Sequence, residues 1–308
     1  MDLTSKSVIK DLLQARNLQP SKGLGQNFLI DRGAVRQIVE ATDIQPNDTV
    51  LEIGPGLGVL TQELARRAKK VIAIEKDPNM VEILKKSIGE TYGNVEIIRD
   101  DIRKSDFLKT PGVDAETPGV KTRKSDFLRY KVVGNLPFYL TAPVIRRFLE
   151  NTRVQPVYLL LVVQKEVAQR ICSKPPRMNL LAVSVQFYAE PKIISYIPRN
   201  SFWPSPEVDA AIIKIIPVNP EFPKPRQTPG VDGETPGVKS VSEIFFKIVK
   251  AGFSQPRKQL INNLSASLKI NKNKIGEWLL ANNIQPTQRA ETLSIEDWIK
   301  MTKSFKMK

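Results

Sequence analysis

The sequence predicts an α/β fold: a Rossmann-like parallel sheet covered by helices on both faces, followed by a smaller, all-helical C-terminal domain. Three observations carry this expectation. From Asp48 onward, short apolar runs alternate with stretches of helical period, the pattern of right-handed βαβ units. The first run ends in a glycine-rich turn, VLEIGPGLGVLT (50–61), with a helix starting near Val59. After the strand-like VDAAIIKIIPV the composition turns Pro- and Gly-rich, and beyond that only helical periodicity remains.

Taken in order, residues 5–16 (SKSVIKDLLQAR) place Val8, Ile9, Leu12 and Leu13 on one helical face. A basic, glycine-punctuated loop, PSKGLGQNFLID, leads to a second amphipathic helix from Arg32 to Thr42. The alternating region then reads TVLEIG, LTQELARRA, KVIAIEKD, MVEILKKSI and NVEIIRDD, and continues with KVVGNLPF, PVIRRFLE, PVYLLLVVQKEV and AVSVQFY. Four helical stretches close the chain: SEIFFKIVKAGF, KQLINNLSASL, NKIGEWLLANN and SIEDWIKMTK. The expected domains are 1–218, a linker at 219–239, and a helical domain at 240–308.

Composition narrows the function. A chain of 308 residues is long enough for one large domain and a smaller one. No apolar run approaches the length of a membrane span, and the N-terminus lacks the apolar core of a signal peptide. One cysteine, Cys172, excludes an intramolecular disulfide, and the absence of His argues against a zinc site and excludes a histidine base. A soluble, cytoplasmic, monomeric protein without metal is expected. Net charge is +15, and residues 239–308 hold 13 Lys and Arg against 5 Asp and Glu. Such a concentration of positive charge points to a polyanion, with nucleic acid first among them.

The segment TPGVDAETPGVK (110–121) recurs as TPGVDGETPGVK (228–239), identical at 11 of 12 positions. RKSDFL likewise occurs at 103–108 and again at 123–128. Repeating structural units span about 20–50 residues and come in larger sets, so this pair reads as an inserted element. Removing 109–128 leaves an ordinary link into the strand before NLPF, and loop insertions of this kind are thermodynamically cheap.

Three strand ends carry the chemistry. Gly54, Gly56 and Gly58 let the backbone turn tightly at a helix N-terminus and approach a ligand, a signal that dinucleotide sites share. Glu75 closes the next strand, where a carboxylate can accept from both hydroxyls of a ribose. Asp101 ends the strand after that, placed to accept from an adenine amino group while Ile102 packs on the ring. Any one acid alone would read as a solvated strand end. On successive strands of one sheet edge they suit an adenosine without a pyrophosphate, which points to S-adenosylmethionine and a Rossmann-like methyltransferase sheet.

The following strand ends in VVGNLPFYL (132–140), where Asn135 and Pro137 would by themselves suit a plain turn. With EIGPGLG and the Glu75 and Asp101 strand ends, NLPF resembles the methyltransferases that act on the adenine amino group. GLGQNFLID (23–31), LLVVQKEVAQRI (160–171), SFWPSPEVDAAI (201–212), FSQPRKQLINNL (253–264) and RAETLSIEDW (289–298) extend the likeness to nearly the whole chain. These segments are similar to the rRNA adenine dimethyltransferases, and most of all to the KsgA-type branch that dimethylates two adjacent adenosines near the 3′ end of small-subunit rRNA. The branch's usual Gly-Tyr-Gly-type turn is replaced here by PPRMNLL (175–181).

The resemblance implies that Asn27, Leu29, Gly54, Gly56, Glu75, Lys76, Asp101, Ile102 and Asn135 form the cofactor site. It also implies that Asn135, Leu136, Pro137 and Phe138 form the catalytic segment. Phe138, with Phe202 as a second face, would hold the target base, and Arg257 and Lys258 would meet RNA phosphates; Lys22, Arg146 and Arg147 are further phosphate candidates. The implied partners are small-subunit rRNA and the small ribosomal subunit or its precursor. A large-subunit rRNA adenine methyltransferase of the macrolide-resistance type shares the Asn-x-Pro-aromatic site and is the alternative, with a ribosome-assembly factor that mainly binds as a third reading.

Overall fold

The computed structural model describes residues 1–21, 23–104, 129–150, 154–218 and 241–305. The insertion expected at 109–128, the linker at 219–239 and Lys22 lie outside the described residues. The chain divides into two compact units, Met1–Ala168 with Pro191–Pro217, and Gln169–Glu190 with Val218–Lys308. The expected boundary at 218 differs from this division in that Gln169–Glu190 groups with the helical unit. Packing supplies the reason, because Phe187 stacks on Phe245 with ring centroids 3.9 Å apart.

In the first unit, α1 (Lys6–Gln14), β1 (Phe28–Leu29) and α2 (Arg32–Thr42) precede the main sheet. Asp31 caps α2, its carboxylate accepting from Gly33 N at 2.7 Å and Ala34 N at 3.1 Å. The seven sheet strands are β2 (Thr49–Ile53), β3 (Lys70–Glu75), β4 (Val95–Arg99), β5 (Tyr130–Asn135), β6 (Leu159–Gln164), β7 (Ala189–Ile197) and β9 (Ala210–Pro217). Their order is β4-β3-β2-β5-β6-β9-β7, while β8 (Phe202–Trp203) pairs antiparallel with β1. The helices α3 (Val59–Ala65), α4 (Pro78–Leu84), α5 (Thr141–Glu150) and α6 (Lys165–Ile171) lie between them in the chain, and α7 (Leu180–Gln186) follows within the residues that group with the second unit.

The pairs β2–β3, β3–β4, β2–β5 and β5–β6 are parallel, as the alternating pattern predicts. The pair β6–β9 is antiparallel, which a wholly parallel reading does not anticipate. Strands buried on both faces lose the two-residue alternation that would reveal their orientation; β2 is buried at all five positions.

The topology places the site. The chain runs from β2 outward to β3 and β4, then returns to β5 on the other side of β2. Such a reversal opens a crevice at the carboxyl ends of the strands. Register aligns Ile53 with both Ile74 and Gly134, and Glu75 with Arg99. Gly54, Glu75, Asp101 and Asn135 therefore emerge along one sheet edge.

Gly58 begins α3 with φ +92°, and a Cβ there would lie 2.8 Å from both Ile88 Cγ1 and Leu84 Cδ2. Both neighbours are buried core side chains. Gly58→Ala is expected to destabilise the protein by about 1–3 kcal/mol through overpacking, on top of left-handed backbone strain. Urea denaturation would read this as a lowered midpoint at unchanged slope.

The second unit contains the four helices expected near the C-terminus, α8 (Val241–Gly252), α9 (Leu260–Leu268), α10 (Lys272–Ala281) and α11 (Ile295–Ser304). Phe245, Leu264, Leu279 and Trp298 form its fully buried interior. Ser294 and Asp297 make a reciprocal capping box at the start of α11. Asn263, buried on α9, donates from Nδ2 to the carbonyls of Gly252 at 2.7 Å and Gln255 at 2.9 Å. It thereby shapes the turn that displays Arg257 and Lys258, both exposed. Among the described residues no helix is long and apolar enough to cross a membrane.

Candidate active site and cofactor cavity

One cavity at the carboxyl edge of the sheet is lined by Asn27, Leu29, Gly54, Gly56, Glu75, Lys76, Asp101, Ile102, Asn135, Leu136, Pro137, Phe138 and Phe202. Every cofactor and catalytic residue expected from the sequence thus meets in one place. Arg257 and Lys258 belong to the other compact unit, in the turn between α8 and α9.

The glycine turn and Glu75 form a single construction. Glu75 Oε2 accepts from Gly56 N at 3.1 Å, and Oε1 accepts from Asp77 N at 2.8 Å. An ionised carboxylate offers about four lone-pair directions, and with the backbone N–H groups of Gly56, Asp77 and Lys76 on it acceptor capacity remains for a hydroxyl donor. Burial pushes the Glu75 carboxyl up, and the backbone donors Asp77, Gly56 and Lys76 pull against it.

Beneath the turn lies Glu52, 1% exposed and also lining the cavity. Its Oε2 has no hydrogen-bond partner, and neither does the buried Oγ1 of Thr61. Burial raises the Glu52 pKa to about 8; nearby Thr61 lowers it somewhat and the Glu75 charge raises it further. This acid is assigned no role from the sequence alone. The available signal was a charge inside an otherwise apolar strand, VLEIG.

The N-terminal loop closes one side of the cavity. Gln26 Nε2 donates to Asp77 Oδ2 at 2.8 Å, tying the loop to the turn after β3. Gly25 has φ +62°, and a Cβ there would lie 3.1 Å from Pro137 Cβ, so the loop rests directly on the Asn-Leu-Pro-Phe turn. Asn135 Nδ2 donates to the Asn27 carbonyl at 3.2 Å. That bond assigns the amide: with the nitrogen turned toward Asn27, Oδ1 is left as the acceptor. Leu136 N donates to Val162 O at 3.2 Å, and Leu140 N to Pro137 O at 2.9 Å, which fixes the turn between β5 and α5. Phe138 is half-buried and Tyr139 is 45% exposed at this rim.

Some expected residues sit differently from the sequence reading. Phe202 is 4% exposed and packs within the main core cluster, so it is a wall of the cavity and not an open stacking face. Arg147 is buried and donates from Nη1 to the Arg103 carbonyl at 2.9 Å, so it is not presented to a phosphate. Helical periodicity could not reveal this, because a lone Arg on the apolar face of α5 looks like a surface charge. Arg146 is exposed and pairs with Glu150 one turn away, Nε to Oε2 at 2.7 Å. Asp101 is held by Arg103 and Lys76, partners that sequence spacing did not assign to it. Among the described residues no cluster of three or more His, Cys, Asp or Glu could hold a metal ion.

A glycine turn over β2 and acids on the next two strand ends, facing an Asn-Leu-Pro-Phe turn on β5, define a Rossmann-like S-adenosylmethionine-dependent methyltransferase. Residues 17–307 match the family model for ribosomal RNA adenine dimethylase, and the chain belongs to that family. Membership makes it an S-adenosylmethionine-dependent rRNA adenine N6-dimethyltransferase. The chain is 40% identical over 293 residues to a ribosomal RNA small subunit methyltransferase A of Dehalococcoides mccartyi strain CBDB1, covering 95% of this chain and 90% of the relative. It is 38% identical over 309 residues to the protein of the same name from Geobacillus kaustophilus, covering 99% and 97%. The crystal structure of a dimethyladenosine transferase from Plasmodium falciparum shares the fold with a TM-score of 0.64 at 24% identity, covering 89% of this chain and 95% of that one. That of the 23S rRNA methyltransferase ErmE does so with a TM-score of 0.63 at 23% identity, covering 90% and 98%.

Proposed function

We propose that this enzyme transfers methyl groups to N6 of two adjacent adenosines near the 3′ end of small-subunit (16S) rRNA, acting in the cytoplasm as a monomer on the small ribosomal subunit or its precursor. The observation that carries the catalytic reading is the Asn27–Asn135 hydrogen bond, which leaves the Asn135 oxygen as an acceptor beside Phe138. The large-subunit alternative is set aside. Relatives at 38–40% identity are named for the small subunit, whereas the likeness to ErmE extends only to the fold.

The cavity suits S-adenosylmethionine. Glu75 keeps acceptor capacity for a ribose hydroxyl beside its backbone donors, and the buried Glu52 Oε2 is an orphaned polar atom lining the cavity. Gly54 and Gly56 take φ of +66° and +59° at the turn, a backbone that side chains with a Cβ rarely adopt and that lets the chain pass close to a ligand. Gly54, Glu75, Lys76, Asp101, Ile102, Asn27 and Leu29 would hold the cofactor, which supplies a methyl group activated on a sulfonium.

Catalysis falls to positioning. The adenine amino lone pair is delocalised into the ring, so an unassisted amine is a poor nucleophile. Asn135 Oδ1 and the Leu136 carbonyl accept its two hydrogens and steer the lone pair toward the methyl carbon. The bound cofactor would supply the methyl group and its sulfur would keep the electrons of the broken S–C bond, while Asn135 and Leu136 hold the amine, whose proton would leave to water. No general base is required, in keeping with a chain that has no His. Phe138 stacks on the base once it has left its helix, an interaction of about 1–3 kcal/mol per base. In this reading residues 1–218 form the methyltransferase domain. Residues 240–308 bind RNA, with Arg257 and Lys258 at phosphates and an affinity that falls with salt.

The test is methylation of small-subunit particles lacking the modification, using labelled S-adenosylmethionine and mass mapping of the RNA. The expected result is two adjacent dimethyladenosines near the 3′ end. Label confined to large-subunit RNA would overturn the assignment.

A further inference from the structure

Asp101 is the residue proposed to read the cofactor's adenine amino group, and its carboxylate is already saturated. Oδ1 accepts from Arg103 N at 3.1 Å and Arg103 Nε at 2.9 Å. Oδ2 accepts from Arg103 Nε at 3.2 Å and Nη2 at 2.6 Å, with Lys76 Nζ at 3.3 Å. These donors fill the roughly four lone-pair directions that a carboxylate offers. An adenine amino donor therefore cannot be accepted in full unless a resident donor gives way.

Arg103 is the donor built to do so. Its backbone is anchored, because its carbonyl accepts from the buried Arg147 at 2.9 Å. Its side chain is 36% exposed, and Tyr139 lies on the cavity rim beside Phe138. A guanidinium on a fixed backbone and a long, solvated stem can rotate from Asp101 toward the rim without disturbing the fold. Lys76 makes the longer, single contact and can remain alongside an adenine.

We infer that Arg103 is a two-position residue: it occupies Asp101 in the cofactor-free enzyme and, displaced by the adenine amino group, turns to the cavity rim to contact an RNA phosphate. Binding of cofactor and of RNA is thereby coupled, and coupling of this kind is reciprocal. The inference rests on the proposed role of Asp101 in adenine recognition. Arg103 acts here as a positioning residue for the cofactor and a contact for RNA; it takes no part in the methyl transfer itself.

The experiment measures binding of S-adenosylhomocysteine and of a small-subunit rRNA 3′-end fragment to the full-length protein, each alone and with the other saturating. In the wild type each ligand is expected to tighten the other by about fivefold or more. In Arg103→Ala, S-adenosylhomocysteine alone should bind at least as tightly as in the wild type. The mutual enhancement should disappear, and the slope of log affinity for RNA against log salt should fall by about 1. Arg103→Lys, which keeps the charge and loses the fork, should retain the RNA salt slope while binding S-adenosylhomocysteine as Arg103→Ala does. If Arg103→Ala weakens S-adenosylhomocysteine binding, the guanidinium is a buttress for Asp101 and the two-position inference is wrong. Enhancement that persists in Arg103→Ala overturns it equally. Failure of the wild type to bind S-adenosylhomocysteine would instead remove the cofactor reading on which the inference stands, and the inference with it.

Discussion

Asn135→Ala is expected to lower methyl transfer by about 10²–10³-fold, the loss that follows removal of one preorganised hydrogen-bond acceptor or donor from a reacting centre. Asn135 is half-buried at the end of β5, and its amide is oriented by the Asn27 carbonyl 108 residues earlier in the chain. Alanine removes both the oxygen that would accept the amine hydrogen and the nitrogen that docks the N-terminal loop. Glu75 and Asp101, the acids proposed to hold the ribose and the adenine, lie at the ends of other strands and keep their own partners. Cofactor binding should therefore weaken by less than tenfold while single-turnover transfer collapses. Calorimetric titration with S-adenosylhomocysteine beside single-turnover labelling separates the two effects. Near-normal turnover by the variant would show that the amine is oriented by other groups.

Glu52→Gln is expected to stabilise the cofactor-free protein at neutral and alkaline pH. The Glu52 pKa is raised by burial from 4.5 to about 8, so the folded state holds a proton that the unfolded chain releases. Its contribution is fully present below about pH 4.5 and declines as pH rises toward about 8, where the folded-state carboxyl ionises. Relative to the Gln variant, the wild type should lose on the order of 3 kcal/mol between about pH 5 and about pH 8. Glutamine has the shape of the neutral acid and does not titrate, so the variant's own curve should be flatter over that window. Urea denaturation of both proteins across the range decides the matter. Parallel stability curves would mean that Glu52 is ionised in the folded protein at neutral pH.

Much of the fold was legible because burial periodicity is a local property. The helical spacing of SKSVIKDLLQAR, the apolar run TVLEI and the four C-terminal helices were each visible within a dozen residues, and each element forms where it was expected. The family resemblance was legible for a related reason: motifs such as EIGPGLG and NLPF concentrate several backbone and hydrogen-bonding demands into a few positions. The antiparallel β9 was less legible, since a strand buried on both faces carries no mark of direction. The grouping of Gln169–Glu190 with the helical unit was not legible, because nothing near Phe187 in sequence announces that its ring will stack on Phe245.

The sequence was sufficient to establish the order of elements, the glycine turn, the strand-end acids and the basic C-terminal region. All of these follow from residue type and spacing along a single stretch of chain. Tertiary structure decided how those groups are engaged. It buries Arg147 against the Arg103 carbonyl, makes Phe202 a core residue, closes both oxygens of Asp101 with Arg103, and turns the Asn135 amide by a bond to Asn27. It also gives Glu52 a low-dielectric setting in which the proton is retained. Hydrogen bonding, desolvation and charge pairing depend on distance in space and fall away within a few ångströms. Groups far apart along the chain therefore acquire their partners, and with them their chemistry, only when the sheet edge assembles.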